Sequence, residues 1–141
     1  MLILKPEKIE FEISTTDLEL VYTESGGVKV KVEAIPLVSI NLRKFVSIEI
    51  SFPIVVEAKC VTLNFYDHNY KNYSIIKGCF GEINLTYSGF YEVVDSKYLQ
   101  DNKKVYDPGD KLDLKHYVIT GYDGYVELIA SKYCANELVP N

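Results

Sequence analysis

Apolar and polar residues alternate along most of this chain with a period of two. Ile9, Phe11 and Ile13 share one side of a run whose other side carries Glu10 and Glu12. Leu18, Leu20 and Tyr22 alternate with Glu19 and Val21, and Val28, Val30 and Val32 alternate with Lys29 and Lys31. Side chains on a strand point to opposite faces in turn, so this pattern predicts half-buried strands. The stretch "TESGG" between the last two runs predicts a bulged hairpin pairing Leu20 with Val30 and Tyr22 with Val28, with Glu19 near Lys31 as a favourable charge pair.

Further strands follow. Ile40 and Leu42, then Val46, Ile48 and Ile50, alternate with a shift near Arg43 and Lys44 that predicts a bulge or a short break. Pro53 marks an edge or corner. Val61, Leu63 and Phe65 share a phase, as do Ile83, Leu85 and Tyr87. From Asp95 to Asp110 the alternation stops. A single helical turn fits Lys97 to Asp101, and Pro108-Gly109 suits the centre of a type II turn. No window sustains a helical period, so about nine or ten short strands predict an all-β fold, a single domain over residues 1–141 built as an antiparallel β-sandwich or flattened barrel.

The segment "KHYVITGYDGYVELIASKY" predicts the sharpest local structure. A type I′ turn needs positive φ at both central residues, which Asp123-Gly124 tolerates. That turn places Tyr122 opposite Tyr125, Thr120 opposite Glu127, Val118 opposite Ile129 and His116 opposite Ser131. Ile119, Val126, Leu128 and Ala130 form its core side, Val118 and Ile129 make the other side partly apolar, and the two tyrosines project from an exposed tip.

Composition narrows the function. The chain has 20 Asp plus Glu against 15 Lys plus Arg, a net charge of -5, which disfavours nucleic acid and anionic membrane surfaces. Its apolar runs fall short of the roughly 20 residues a spanning helix needs. "MLILKPEKIE" lacks the basic-then-apolar order of a signal peptide, so a cytoplasmic chain is expected. Cys60, Cys79 and Cys134 form no CxxC and are expected as reduced, mostly buried thiols. The acceptor patterns at Asn72 and Asn84 read as chance without a secretory signal.

Catalytic and metal signatures are absent. There is no G-x-S-x-G elbow, HExxH, GxxxxGK[ST] or GxGxxG, so neither a catalytic residue, a cofactor nor a metal is expected. His116 is expected as a partly exposed strand residue and His68 as a loop residue. Asp107, Asp110 and Asp113 match a calcium loop only loosely and read as a solvated turn.

The distribution of tyrosines carries the functional expectation. Eleven of the twelve lie between Tyr66 and Tyr133, and Glu92 to Glu127 holds eight acids and five lysines. Tyrosine offers rigid contact area with a polar tip, and neighbouring acids attract a basic partner. This predicts a protein-binding surface from Tyr106, Asp107 and Asp110 together with Tyr122, Asp123 and Tyr125. Two other readings remain open: a barrel that holds an apolar ligand against aromatics such as Phe65 and Tyr87, and an oligomeric protein that pairs exposed strands.

The C-terminal "HYVITGYDGYVELIASKY" with its tail "CANELVPN", extended upstream by "NYSIIKGCFGEINLTY", resembles the closing part of small all-β bacterial immunity proteins of polymorphic or contact-dependent toxin systems. The resemblance implies a non-enzymatic cytoplasmic protein that neutralises a cognate toxin domain by binding it with an acidic surface, and a basic toxin domain is the partner expected.

Overall fold

The computed structural model describes residues 1–139; Pro140 and Asn141 of the tail lie outside them. Among the described residues there are thirteen strands: β1 (Leu2–Pro6), β2 (Phe11–Ile13), β3 (Glu19–Thr23), β4 (Gly27–Pro36), β5 (Val46–Phe52), β6 (Val55–Val61), β7 (Tyr73–Ile75), β8 (Cys79–Phe80), β9 (Ile83–Asn84), β10 (Phe90–Val93), β11 (Lys115–Thr120), β12 (Tyr125–Ala130) and β13 (Cys134–Leu138). A 3-10 helix (Leu37–Leu42) and two α-helices, α1 (Phe65–His68) and α2 (Lys97–Tyr106), interrupt them.

The larger sheet runs β6-β12-β11-β10-β1-β7. The second runs β13-β5-β4-β2, with β3 also on β4, and β8 and β9 make a separate small hairpin. Pairing is antiparallel except between β1 and β7. The two main sheets face one another as a sandwich, not a closed barrel. Val28, Val30, Val32, Ile50 and Phe52 pack against Phe90, Tyr117, Ile119, Val126 and Leu128. Phe52, Phe90, Tyr117 and Tyr133 interlock with ring centroids 4.8 to 6.2 Å apart, so aromatic rings fill this interior.

The larger sheet is apolar on its outer face too. Leu4, Tyr91, Val93, Val118 and Tyr125 are buried there against Phe65 of α1. Phe65 and Tyr87 therefore line no barrel interior: Phe65 seals the outside of the sheet, and Tyr87 is exposed.

The β3–β4 hairpin has the register read from the sequence, with Leu20 opposite Val30, Tyr22 opposite Val28 and Glu19 opposite Lys31. Gly27 closes it at φ 75, where an added Cβ would lie 2.2 Å from the Phe52 carbonyl oxygen. Only glycine combines that conformation with that approach.

Other expectations need correction. Ile40 and Leu42 belong to the 3-10 helix, which ends at Arg43 in the left-handed region. The strand expected through Val61, Leu63 and Phe65 stops at Val61, because the Asn64 side chain accepts the Asp67 N–H and starts α1. The isolated turn expected at Lys97 is a ten-residue helix. Ser96 caps it by accepting the Leu99 N–H at 3.1 Å, and Lys103 and Lys104 favour its C-terminal dipole. The Asp107–Asp110 turn closes by an N–H to O bond of 3.0 Å, but positive φ falls on Asp110 and not on Gly109, so it is not type II. The three cysteines are free as expected, yet exposed, not buried.

Candidate functional site

The residues expected to form one surface lie in two places. Tyr106, Asp107 and Asp110 are at the C-terminal end of α2, near the start of β11. Tyr122 and Asp123 occupy the loop beyond its end, about 20 Å along the strand.

At the α2 end, chain folding occupies these side chains. Asp107 is buried, and its two carboxylate oxygens accept the Lys111 and Leu112 N–H groups at 2.9 Å. Those backbone bonds hold its pKa below the usual carboxylate range. Asp110 pairs with Lys103 at 3.0 Å. Tyr106 donates to Glu57 on β6, as does Tyr98 about two turns earlier on the same side of the helix. The interaction role expected for Asp107 is therefore replaced by a structural one.

The β11–β12 loop also differs from its expected form. Its central residues are Tyr122 and Asp123, flanked by Gly121 and Gly124, with Gly121 N–H donating to Gly124 oxygen at 2.7 Å. Thr120 stands opposite Tyr125, Val118 opposite Glu127 and His116 opposite Ile129. Neither Asp123 nor Gly124 has positive φ, so the type I′ turn does not form. Tertiary bonds decide this. Tyr122 N–H donates to Thr15 oxygen at 2.8 Å, and Asn64 Nδ2 donates to Tyr122 oxygen at 2.8 Å. Moving the turn by one residue shifts each cross-strand partner by two, which preserves the faces. The core side is thus as expected. Tyr125 is not: it is buried, its ring packs 5.1 Å from Phe65, and its hydroxyl meets His68 Nδ1 at 2.7 Å.

Those same hydrogen bonds stitch three loops into one rim: the β2–β3 loop through Thr15, the β6–α1 loop through Asn64, and the β11–β12 loop. Asp17, Tyr122 and Asp123 line a shallow depression of about 290 Å³ there with Leu18, Cys60 and Thr62. Asp67 follows Asn64 by three residues and donates its N–H to that side chain at 3.0 Å. Tyr122 is 69% exposed. Among the described residues, Asp17, Asp67 and Asp123 make no ion pair, whereas Lys59 of adjacent β6 is already held by Glu127 at 2.9 Å. Asp17 and Asp67 were not legible as site residues, since their loops meet only through long-range bonds.

A second constellation also escaped the sequence pattern. Ser96 Oγ lies 2.7 Å from His116 Nδ1, and His116 Nε2 lies 3.1 Å from Glu127 Oε1. Glu127 then meets Lys59. His116 is buried rather than partly exposed. Burial by itself raises the Glu127 pKa, but the hydrogen bonds from His116 and Lys59 and their charges outweigh it and pull it down to about 2. The order serine–imidazole–carboxylate matches a nucleophile, base and orienting acid. Here the serine oxygen is buried and engaged by the Leu99 N–H, and the cleft of about 270 Å³ between α2 and the sheet is lined by Tyr98, His116 and Glu127 but not by Ser96. The chain of bonds docks α2 on the sheet. The signal available in the sequence was that His116 and Glu127 share one face of the β11–β12 hairpin.

Most of the tyrosine enrichment is likewise structural: Tyr91, Tyr117 and Tyr125 are buried, and Tyr66 and Tyr133 are half-buried with bonded hydroxyls. Among the described residues, no group of three or more His, Cys, Asp or Glu could hold a metal ion. Among the described residues, no helix is long and apolar enough to cross a membrane. No family model matches the chain, and neither does any curated protein or solved structure.

Proposed function

We propose that this chain is a non-enzymatic binding protein that docks a basic partner protein on the rim formed by Asp17, Asp67, Tyr122 and Asp123. One observation carries the reading: an exposed tyrosine stands among acids without ion-pair partners, on loops locked together by hydrogen bonds. Preorganised loops lose little conformational entropy on binding. Unpaired carboxylates steer a cationic surface toward the rim and give it register.

The resemblance to bacterial immunity proteins suggests the partner's class. In this reading the partner is a basic toxin domain in the cytoplasm, whose anionic substrate the rim acids imitate. Co-expression with the product of a neighbouring toxin-like gene tests it. Co-purification and loss of toxicity are expected, both weakened by Asp17→Lys with Asp123→Lys. A toxin domain that neither binds nor is neutralised contradicts the reading.

A further inference from the structure

Strand β6 has a free edge. It pairs with β12 alone, and among the described residues no backbone or side-chain hydrogen bond reaches its other side. Ala58 and Cys60 stand opposite Leu128 and Val126 and so face the sandwich interior. Leu128 and Val126 are buried, yet Ala58 and Cys60 are exposed. The larger sheet therefore overhangs its partner at β6. Unpaired strand edges of this length invite another strand.

The sequence of this edge specifies which strand. Ala58 is flanked by opposite charges, Glu57 before it and Lys59 after it. An antiparallel pairing centred on Ala58 thus sets Glu57 of one copy opposite Lys59 of the other, while the irregularity that leaves Val56 without a partner on β12 confines the regular ladder to Glu57–Val61. Opposite charges directly across a strand pair attract. Sliding by two residues, which keeps the sheet faces continuous, sets Glu57 against Glu57 or Lys59 against Lys59. Like charges reject both alternatives, so the two charges admit one register.

Both charges are already positioned. Tyr98 and Tyr106 hold Glu57, and Glu127 holds Lys59, whose side chain is still 57% exposed. A lone edge lysine ordinarily discourages pairing. Here its counter-charge lies two residues away on the same face, so self-pairing removes the deterrent.

We infer that the β6 edge is a self-association surface: a second copy of this chain pairs antiparallel about Ala58 and joins the two six-stranded sheets edge to edge. Edge pairing buries little area, so the dimer is weak and reversible. The partner-binding rim adjoins this edge at Cys60 and Val61, the end of β6 farther from Glu57.

Sedimentation equilibrium from roughly 1 μM to 1 mM tests it. The wild-type chain is expected to dimerise within that range. Ala58→Lys sets two cations together on the symmetry axis and lowers the association constant at least about tenfold, with the same thermal unfolding as wild type because Ala58 is exposed. Ala58→Cys, with Cys60, Cys79 and Cys134 changed to Ser, gives a reducible covalent dimer on mild oxidation. A monomer throughout the range, or a dimer unaffected by Ala58→Lys, overturns the inference.

Discussion

Ser96 Oγ lies 2.7 Å from Nδ1 of His116 while it caps the first turn of α2. One hydroxyl thus starts a helix and fastens it to the sheet. Its hydrogen bond with the imidazole and its acceptance from the Leu99 N–H leave it no free role. The helix buries no residue fully, so polar bonds through Ser96, Tyr98 and Tyr106 hold it in place.

Ser96→Ala removes the cap and leaves a buried imidazole nitrogen without its partner. The expected loss is about 1–3 kcal/mol in urea unfolding. Ser96→Asp retains the cap and a partner for His116, and recovers most of it. Equal stability of Ser96→Ala and wild type is inconsistent with the strut.

Glu127 makes stability depend on acid. Its folded pKa, about 2, lies below its unfolded value near 4.5, so the unfolded chain takes up its proton first as pH falls. Its contribution is fully present above about pH 5 and fades as pH drops through 2. Glu127 is largely buried, and the shift corresponds to roughly 3 kcal/mol. The stability gap between wild type and Glu127→Gln, followed by urea titration, narrows from pH 5 to pH 2. A gap that is constant over that window counts against the assignment.

The two tyrosines of the closing hairpin separate packing from recognition. Tyr125→Ala empties the space against Phe65 and is expected to cost about 3–5 kcal/mol. Tyr122→Ala leaves stability within about 0.5 kcal/mol, since its side chain is exposed. Melting curves of the two variants that shift equally contradict the corrected register.

Gly27→Ala fails for two reasons at once, a left-handed φ of 75 and a carbonyl oxygen 2.2 Å from the new Cβ. Loss of the folded state, read by near-UV circular dichroism, is expected, while Gly81→Ala at φ 60 meets open space and remains folded.

What the sequence revealed depends on how local each decision is. The β3–β4 register was readable because its three-residue loop and its Glu19–Lys31 pair lie within fifteen residues of one another. The β11–β12 turn was misplaced by one residue because Thr15 and Asn64, distant in sequence, hold Tyr122. Helix α2 was nearly invisible, since it docks through hydroxyls in place of an apolar stripe. Tyr122 and Asp123 were legible as an exposed tip. Asp17 and Asp67 join them only in three dimensions, and Tyr106, Asp107 and Tyr125 proved structural.

The most direct measurement of the proposed function is the association rate between this chain and a basic toxin domain at low and high salt. The Asp17→Lys, Asp123→Lys variant is expected to associate at least about tenfold more slowly than wild type at low salt, with the difference shrinking as salt screens the rim. Equal rates for the two proteins at low salt contradict the acidic rim as the docking surface.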